Sequence, residues 1–203
     1  RKAIELNPNL ANAHLNLGSI LNDLGKLSEL IDLSKITLES RSMNEENKLG
    51  FLLHLTIANL LQKDFSRTFI NINKINELKN KGIINTIKSE DNRKYISTFS
   101  KFITLLYPQL EKKTDEHISE KLPHIGESHC LSFTHQNIYI DSRYQKIQPV
   151  LITGGKAWHF ANNNNNRWKD SLREQIKNHT YSDLVFISFG EIDCRKDEGI
   201  LPY

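Results

Sequence analysis

The sequence predicts an α + α/β chain, with helical hairpins first and then an α/β domain on a parallel sheet. Three observations predict it. Through the first half, apolar residues recur at three- and four-residue spacing, as a helix with one buried face requires. Beyond a charged linker at Lys112–Lys121 the apolar runs become short and rich in Ile, Val and Phe, the composition of buried strands. Helix-like stretches separate those runs, and strand–helix–strand alternation favours parallel strands joined by right-handed crossovers. The expected divisions are 1–42, 43–118 and 119–203.

Composition narrows the class. The 203 residues carry a net charge of only +3, from 27 Lys and Arg against 24 Asp and Glu. No dense basic stripe appears, so a nucleic-acid partner is not expected. The apolar fraction of 38% is low, yet its periodicity is clear, which separates the chain from disordered sequences. No apolar run approaches the roughly 18 residues of a membrane span. Two cysteines, Cys130 and Cys194, are too few for a disulfide framework and read as reduced, buried thiols in a cytoplasmic protein.

In chain order, Arg1–Leu6 reads as the last turns of a helix ended by Asn7-Pro8. Two helical patterns follow over 9–40, the first placing Ala11, Leu15, Gly18 and Leu21 on related faces. Ala13 and Gly18 are small enough for neighbouring helices to approach closely, and Gly25 supplies the turn between the pair. Leu49 to Leu61 is almost fully apolar and predicts a buried helix. Asp64 opens the next helix, Lys79–Gly82 and Ser89–Asn92 read as turns, and Ile84–Ile87 and Tyr95–Leu106 mark further helical segments. Phe65, Phe69, Phe99, Phe102 and Tyr107 lie at helical spacing and read as core.

The terminal Arg1-Lys2-Ala3-Ile4-Glu5-Leu6-Asn7-Pro8, then Ala13, Asn16-Leu17-Gly18, Leu24-Gly25 and Glu29, resemble the tetratricopeptide repeat, a helix–turn–helix unit of about 34 residues. The resemblance covers one near-complete repeat and the tail of another. It implies a scaffold that docks a protein partner. Because the pattern opens partway through a repeat, an array or a leader is expected upstream of Arg1.

In the second half, strands are expected at 122–126, 147–152 and 184–190. Each ends in polar or glycine residues: Gly126-Glu127-Ser128-His129, Thr153-Gly154-Gly155 and Gly190-Glu191-Ile192-Asp193. Ligands of parallel sheets bind beyond the carboxyl ends of strands, so these three turns are expected to converge. A serine opening a helix at a strand end presents its hydroxyl among backbone N–H groups, a placement suited to a nucleophile.

The first and third turns resemble the first and third blocks of the SGNH (GDSL-like) hydrolase superfamily, over roughly the last 80 residues. The resemblance implies an incomplete flavodoxin-like, three-layer α/β fold and a serine esterase or acyltransferase acting on a carbohydrate or lipid ester, with no cofactor. Ser128 would be the nucleophile. Its own N–H and that of Gly154 or Gly155 would stabilise the oxyanion, and Asp193 would brace the nucleophile turn. Glu127, His129, Glu191 and Arg195 would line the substrate. Glu127 stands where the family has Asp, and Ile192 where it has the Asn that donates to the oxyanion.

The family's Asp-x-x-His block is expected beyond Tyr203, so this stretch alone is expected to be inactive as a hydrolase. His129 is adjacent to the serine and His124 precedes it on the strand, and neither matches that base. The competing expectation is a non-catalytic ligand- or protein-binding module on the same helical scaffold. Trp158-His159 reads either as a sugar-stacking pair or as the cover of a helix–sheet junction, and Asn162–Asn166 as a solvated insertion. No metal is expected, because His129, His135, Cys130 and Cys194 lack ligand spacing. Gly154-Gly155-Lys156 lacks the rest of a phosphate loop.

Overall fold

The computed structural model describes residues 2–7, 10–38, 43–111, 120–177 and 183–194. The chain divides into two compact units, one of residues 1–22 and 26–112, the other of 23–25 and 113–203. The first is helical and the second carries a four-stranded sheet. Much of the 112–121 linker, together with Arg195, lies outside the described residues.

The helical unit contains α1 (Lys2–Leu6), α2 (Ala11–Asp23), α3 (Leu27–Thr37), α4 (Glu45–Leu61), α5 (Phe65–Asn80) and α6 (Glu90–Glu111). The apolar α4 is its centre, with Leu49, Phe51, Leu53, Ile57, Ala58 and Leu60 all fully buried. Phe51 packs with Leu21 of α2, Leu30 of α3 and Ala58 in one cluster, so the 1–42 and 43–118 segments share a core. Gly18 permits this. A Cβ there would lie 2.9 Å from Phe51 Cε2, closer than such contacts allow. Each fully buried Leu or Phe contributes about 1.5–3 kcal/mol of hydrophobic stabilisation.

Capping sets the helix boundaries. The Asn44 side chain accepts the Asn47 N–H at 2.8 Å to start α4, and Asp64 accepts the Arg67 N–H at 2.9 Å to start α5. Ser89 accepts the Asn92 N–H at 3.2 Å, so the segment expected as a turn at 89–92 is instead the first turn of α6. Residues Ile83–Thr86 form a single 3-10 turn after Gly82, whose φ is 81°. The aromatics expected in the core lie at its rim. Phe69 is 44% exposed and stacks on Tyr107 at 4.9 Å, while aliphatic Ile72, Ile75, Ile96 and Ile103 fill the interior.

The sheet unit contains β1 (Lys121–Gly126), β2 (Asn137–Ile140), β3 (Arg143–Leu151), α7 (Ala157–Ala161), α8 (Arg167–Lys177) and β4 (Phe186–Ser188). The order is β2-β3-β1-β4. β1 pairs in parallel with both β3 and β4, whereas β2 is antiparallel to β3, so the sheet is mixed rather than wholly parallel. The segment expected as a helical crossover between β1 and β3 is a 3-10 stretch, Ser128–Phe133, followed by a hairpin. Asp141 and Ser142 form its two-residue turn at φ 49° and 61°, the left-handed geometry that matches strand twist. Ile125, Val150 and Ile152 form the core under Phe160, Trp168, Leu172 and Phe189. Among the described residues, no helix is long and apolar enough to cross a membrane.

Candidate functional site

Register brings the three turns to one edge of the sheet. Gly126 pairs with Leu151 on one side and Ser188 on the other, so β1, β3 and β4 end at the same level. The Ile152 N–H donates to Gly126 O at 2.8 Å, carrying the alignment one residue further. Gly126 is needed for this closeness, since a Cβ there would lie 2.8 Å from the Ser188 carbonyl oxygen. β3 and β4 flank β1, and the chain crosses from one to the other through α7 and α8. The turn after β1 therefore opens where connections leave the sheet in opposite directions, the position of the ligand crevice in such folds.

Glu127 organises the first turn. It is 1% exposed, a burial a carboxylate tolerates only with hydrogen-bond partners. Its Oε2 accepts from Ser128 Oγ at 3.0 Å and from the His129 N–H at 3.2 Å, and its Oε1 lies 2.6 Å from His129 Nδ1. The carboxylate caps the 3-10 helix that Ser128 opens and fixes both neighbouring side chains. Beneath it, burial and the charge of Glu127 push the Cys130 thiol upward, so this cysteine is inert. Cys194, expected to be buried, is exposed, and neither cysteine forms a disulfide.

The third turn reaches the other two. Glu191 Oε2 stands 3.7 Å from His129 Nδ1, both side chains being about half exposed at 48% and 49%. Glu127, His129 and Glu191 thus place one ligand atom each within 4.8 Å of one another. The turns that carry these residues are the ones expected to converge, and their contact depends on β4 entering the sheet beside β1 after about sixty residues of intervening chain.

Asp193 is 7% exposed and accepts the Ala157 N–H at 2.7 Å and the Trp158 N–H at 3.2 Å. It therefore braces the start of α7, after the glycine pair, rather than the nucleophile turn. The Gly155 N–H donates to Ile152 O at 3.0 Å. That engagement removes it as an oxyanion donor and leaves Gly154, exposed at φ 66°, as the candidate from this turn.

The histidines separate by role. His124 Nε2 lies 2.8 Å from Ser188 Oγ, and its ring packs against Phe133 and Phe186. Burial lowers its pKa from the ordinary value. This interior pair was not foreseen, although a His two residues before a strand-end Gly shares that residue's face of the sheet. His159 is buried and stacks on Trp168 with centroids 3.4 Å apart, while Trp158 remains 40% exposed beside it. The Lys156 N–H donates to His159 Nδ1 at 3.0 Å, and burial lowers the pKa of this ring as well. The asparagine run is an ordered connection: Asn166 Oδ1 accepts the Trp168 and Lys169 N–H groups and starts α8.

The comparisons with known proteins add no relative: no family model, no curated protein and no solved structure matches this chain.

Proposed function

We propose that the sheet unit is an SGNH-like serine esterase or acyltransferase domain, acting on a carbohydrate or lipid ester, carried on a tetratricopeptide-like scaffold that docks a protein partner. One observation carries the reading. Ser128 opens a 3-10 turn at the end of β1 with its Oγ donating to the buried carboxylate of Glu127, at the edge where the loops after β3 and β4 also end.

On this reading Ser128 Oγ bonds to the acyl carbon as its proton passes to Glu127 Oε2, and the adduct collapses by breaking the ester C–O bond, the alcohol leaving with that proton. The Ser128 and Gly154 N–H groups receive the developing oxyanion charge. Asp193 keeps the glycine turn in place by holding the first N–H groups of α7. The partly exposed Trp158 offers a ring face for a sugar.

A non-catalytic binding module is the second reading, and a specific feature favours it. Glu127 holds the Ser128 hydroxyl and the His129 ring at the same time, so the imidazole is oriented by the carboxylate rather than set on the serine. A fluorophosphonate probe decides between them. The esterase reading expects labelling of the wild type that Ser128→Ala abolishes. Labelling that persists in the variant, or a wild type that takes no label, contradicts it.

A further inference from the structure

We propose that Glu127, His129 and Glu191 form a divalent transition-metal site, and that zinc is the ion it takes. The proposal stands apart from the serine reaction, since it concerns binding alone.

The geometry suits one ion. The three ligand atoms lie within 4.8 Å of one another, with His129 Nδ1 2.6 Å from Glu127 Oε1 and 3.7 Å from Glu191 Oε2. Zinc sits about 2.0–2.2 Å from nitrogen and oxygen ligands, which places tetrahedral neighbours roughly 3.4 Å apart. The observed separations bracket that value. Reaching it requires the Glu127–His129 pair to open and the wider pairs to close. His129 and Glu191 are about half exposed, so rotation of their own side chains makes the adjustment.

The site is also anchored. Ligating carboxylates in metal centres are themselves hydrogen-bonded, and those outer contacts hold their orientation. Glu127 has that support, with Oε2 fixed by Ser128 Oγ and the His129 N–H and Oε1 directed at the imidazole. One wall of the cluster is therefore preformed, and the other arrives on the loop after β4.

The donor set selects the ion. One imidazole and two carboxylates give three protein ligands and leave a fourth position for water, the pattern of open zinc sites. The imidazole disfavours magnesium and calcium, which take oxygen ligands throughout. Cys130 is fully buried and is not among the ligand atoms that converge. An ion bound by His129 and Glu191 ties the first and third turns together, so loading raises the melting temperature.

The test is a calorimetric titration of the chelator-treated 203-residue chain with zinc, accompanied by thermal melts. One equivalent is expected to bind and to raise the melting temperature, and the same concentration of magnesium to do neither. Glu191→Gln changes an exposed side chain and keeps the wild-type melt without metal, whereas His129→Ala removes a partner of the buried Glu127 carboxylate and lowers that melt. Each is expected to weaken zinc binding by about tenfold or more, as loss of even an outer contact does. Ser128→Ala keeps all three ligands but loses one outer contact to Glu127, so it binds zinc more weakly than the wild type yet still with one equivalent. In the full-length protein it loses the fluorophosphonate label, so the two proposals fail separately. Cobalt substitution is expected to give a spectrum of nitrogen and oxygen ligation. Absence of zinc binding, equal affinity in the wild type and both ligand variants, or a cobalt–thiolate band overturns the proposal.

Discussion

The helical unit and the sheet unit both bury polar groups, but they satisfy them differently. In the helical unit the partners are mostly local: Thr37 Oγ1 donates to Leu33 O, Thr56 Oγ1 to Leu52 O and Thr68 Oγ1 to Asp64 O, all within one helical turn. In the sheet unit two buried carboxylates act at strand ends: Glu127 holds its own turn and Asp193 binds a turn from another strand. Local satisfaction stabilises an element and asks nothing of its neighbours. The cross-loop bonds of Asp193 instead tie the turn after β4 to the start of α7, at the edge where the candidate site lies.

The largest effect expected is on the helical side. Phe51→Ala removes the ring that fills the space beside Gly18 and is expected to cost about 3–5 kcal/mol, read by chemical denaturation. A loss below about 1 kcal/mol would mean that the α2–α4 contact is not the centre of this unit.

A pH effect comes next, on the one helical-unit histidine whose pKa burial lowers most. Burial lowers His54 from the ordinary value of 6.5 to about 4, and its Nδ1 is enclosed without a hydrogen-bond partner. Between these values the unfolded chain binds the proton and the folded one does not. Stability is therefore highest above pH 6.5 and falls as the pH drops towards 4, by up to about 3 kcal/mol. His54→Gln is expected to flatten that part of the profile, and an unchanged slope would assign it to other groups.

Asp193→Asn tests the cross-loop half of the comparison. It keeps the shape but weakens the charge-assisted bonds to the Ala157 and Trp158 N–H groups, an expected loss of about 1–2 kcal/mol by denaturation. A neutral result would make Asp193 incidental to the placement of α7. The smallest effect is at the hairpin, where Ser142 holds a φ of 61°. Ser142→Gly is expected to raise stability by about 0.5 kcal/mol, since glycine accepts that conformation without steric cost.

Legibility followed the same division. Helical spacing exposed α2, α4 and α5, and Gly18 and Gly25 marked a close approach and a turn, because helix signals are local. The ends of β1, β3 and β4, at Gly126, Leu151 and Ser188, were also legible within two residues as places where apolar runs stop. The β2–β3 hairpin was not. Its Asp141-Ser142 turn lacks the glycine that usually marks φ > 0, so the alternation Ile138-Tyr139-Ile140 went unread. The convergence of the turns that carry His129 and Glu191 was legible at the strand ends, whereas the His124–Ser188 pair and the hold of Asp193 on α7 were not. These are separated by dozens of residues and depend on which strand lies beside β1, a property of the sheet order rather than of any local pattern.

The most direct measurement of the central claim is to locate the label. The full-length protein that carries this stretch is treated with a fluorophosphonate, digested, and the modified peptide sequenced by mass spectrometry. The account predicts a single adduct on Ser128. An adduct on Ser132 or Ser188 with Ser128 unmodified, or no adduct under conditions that label a known serine esterase, would contradict it.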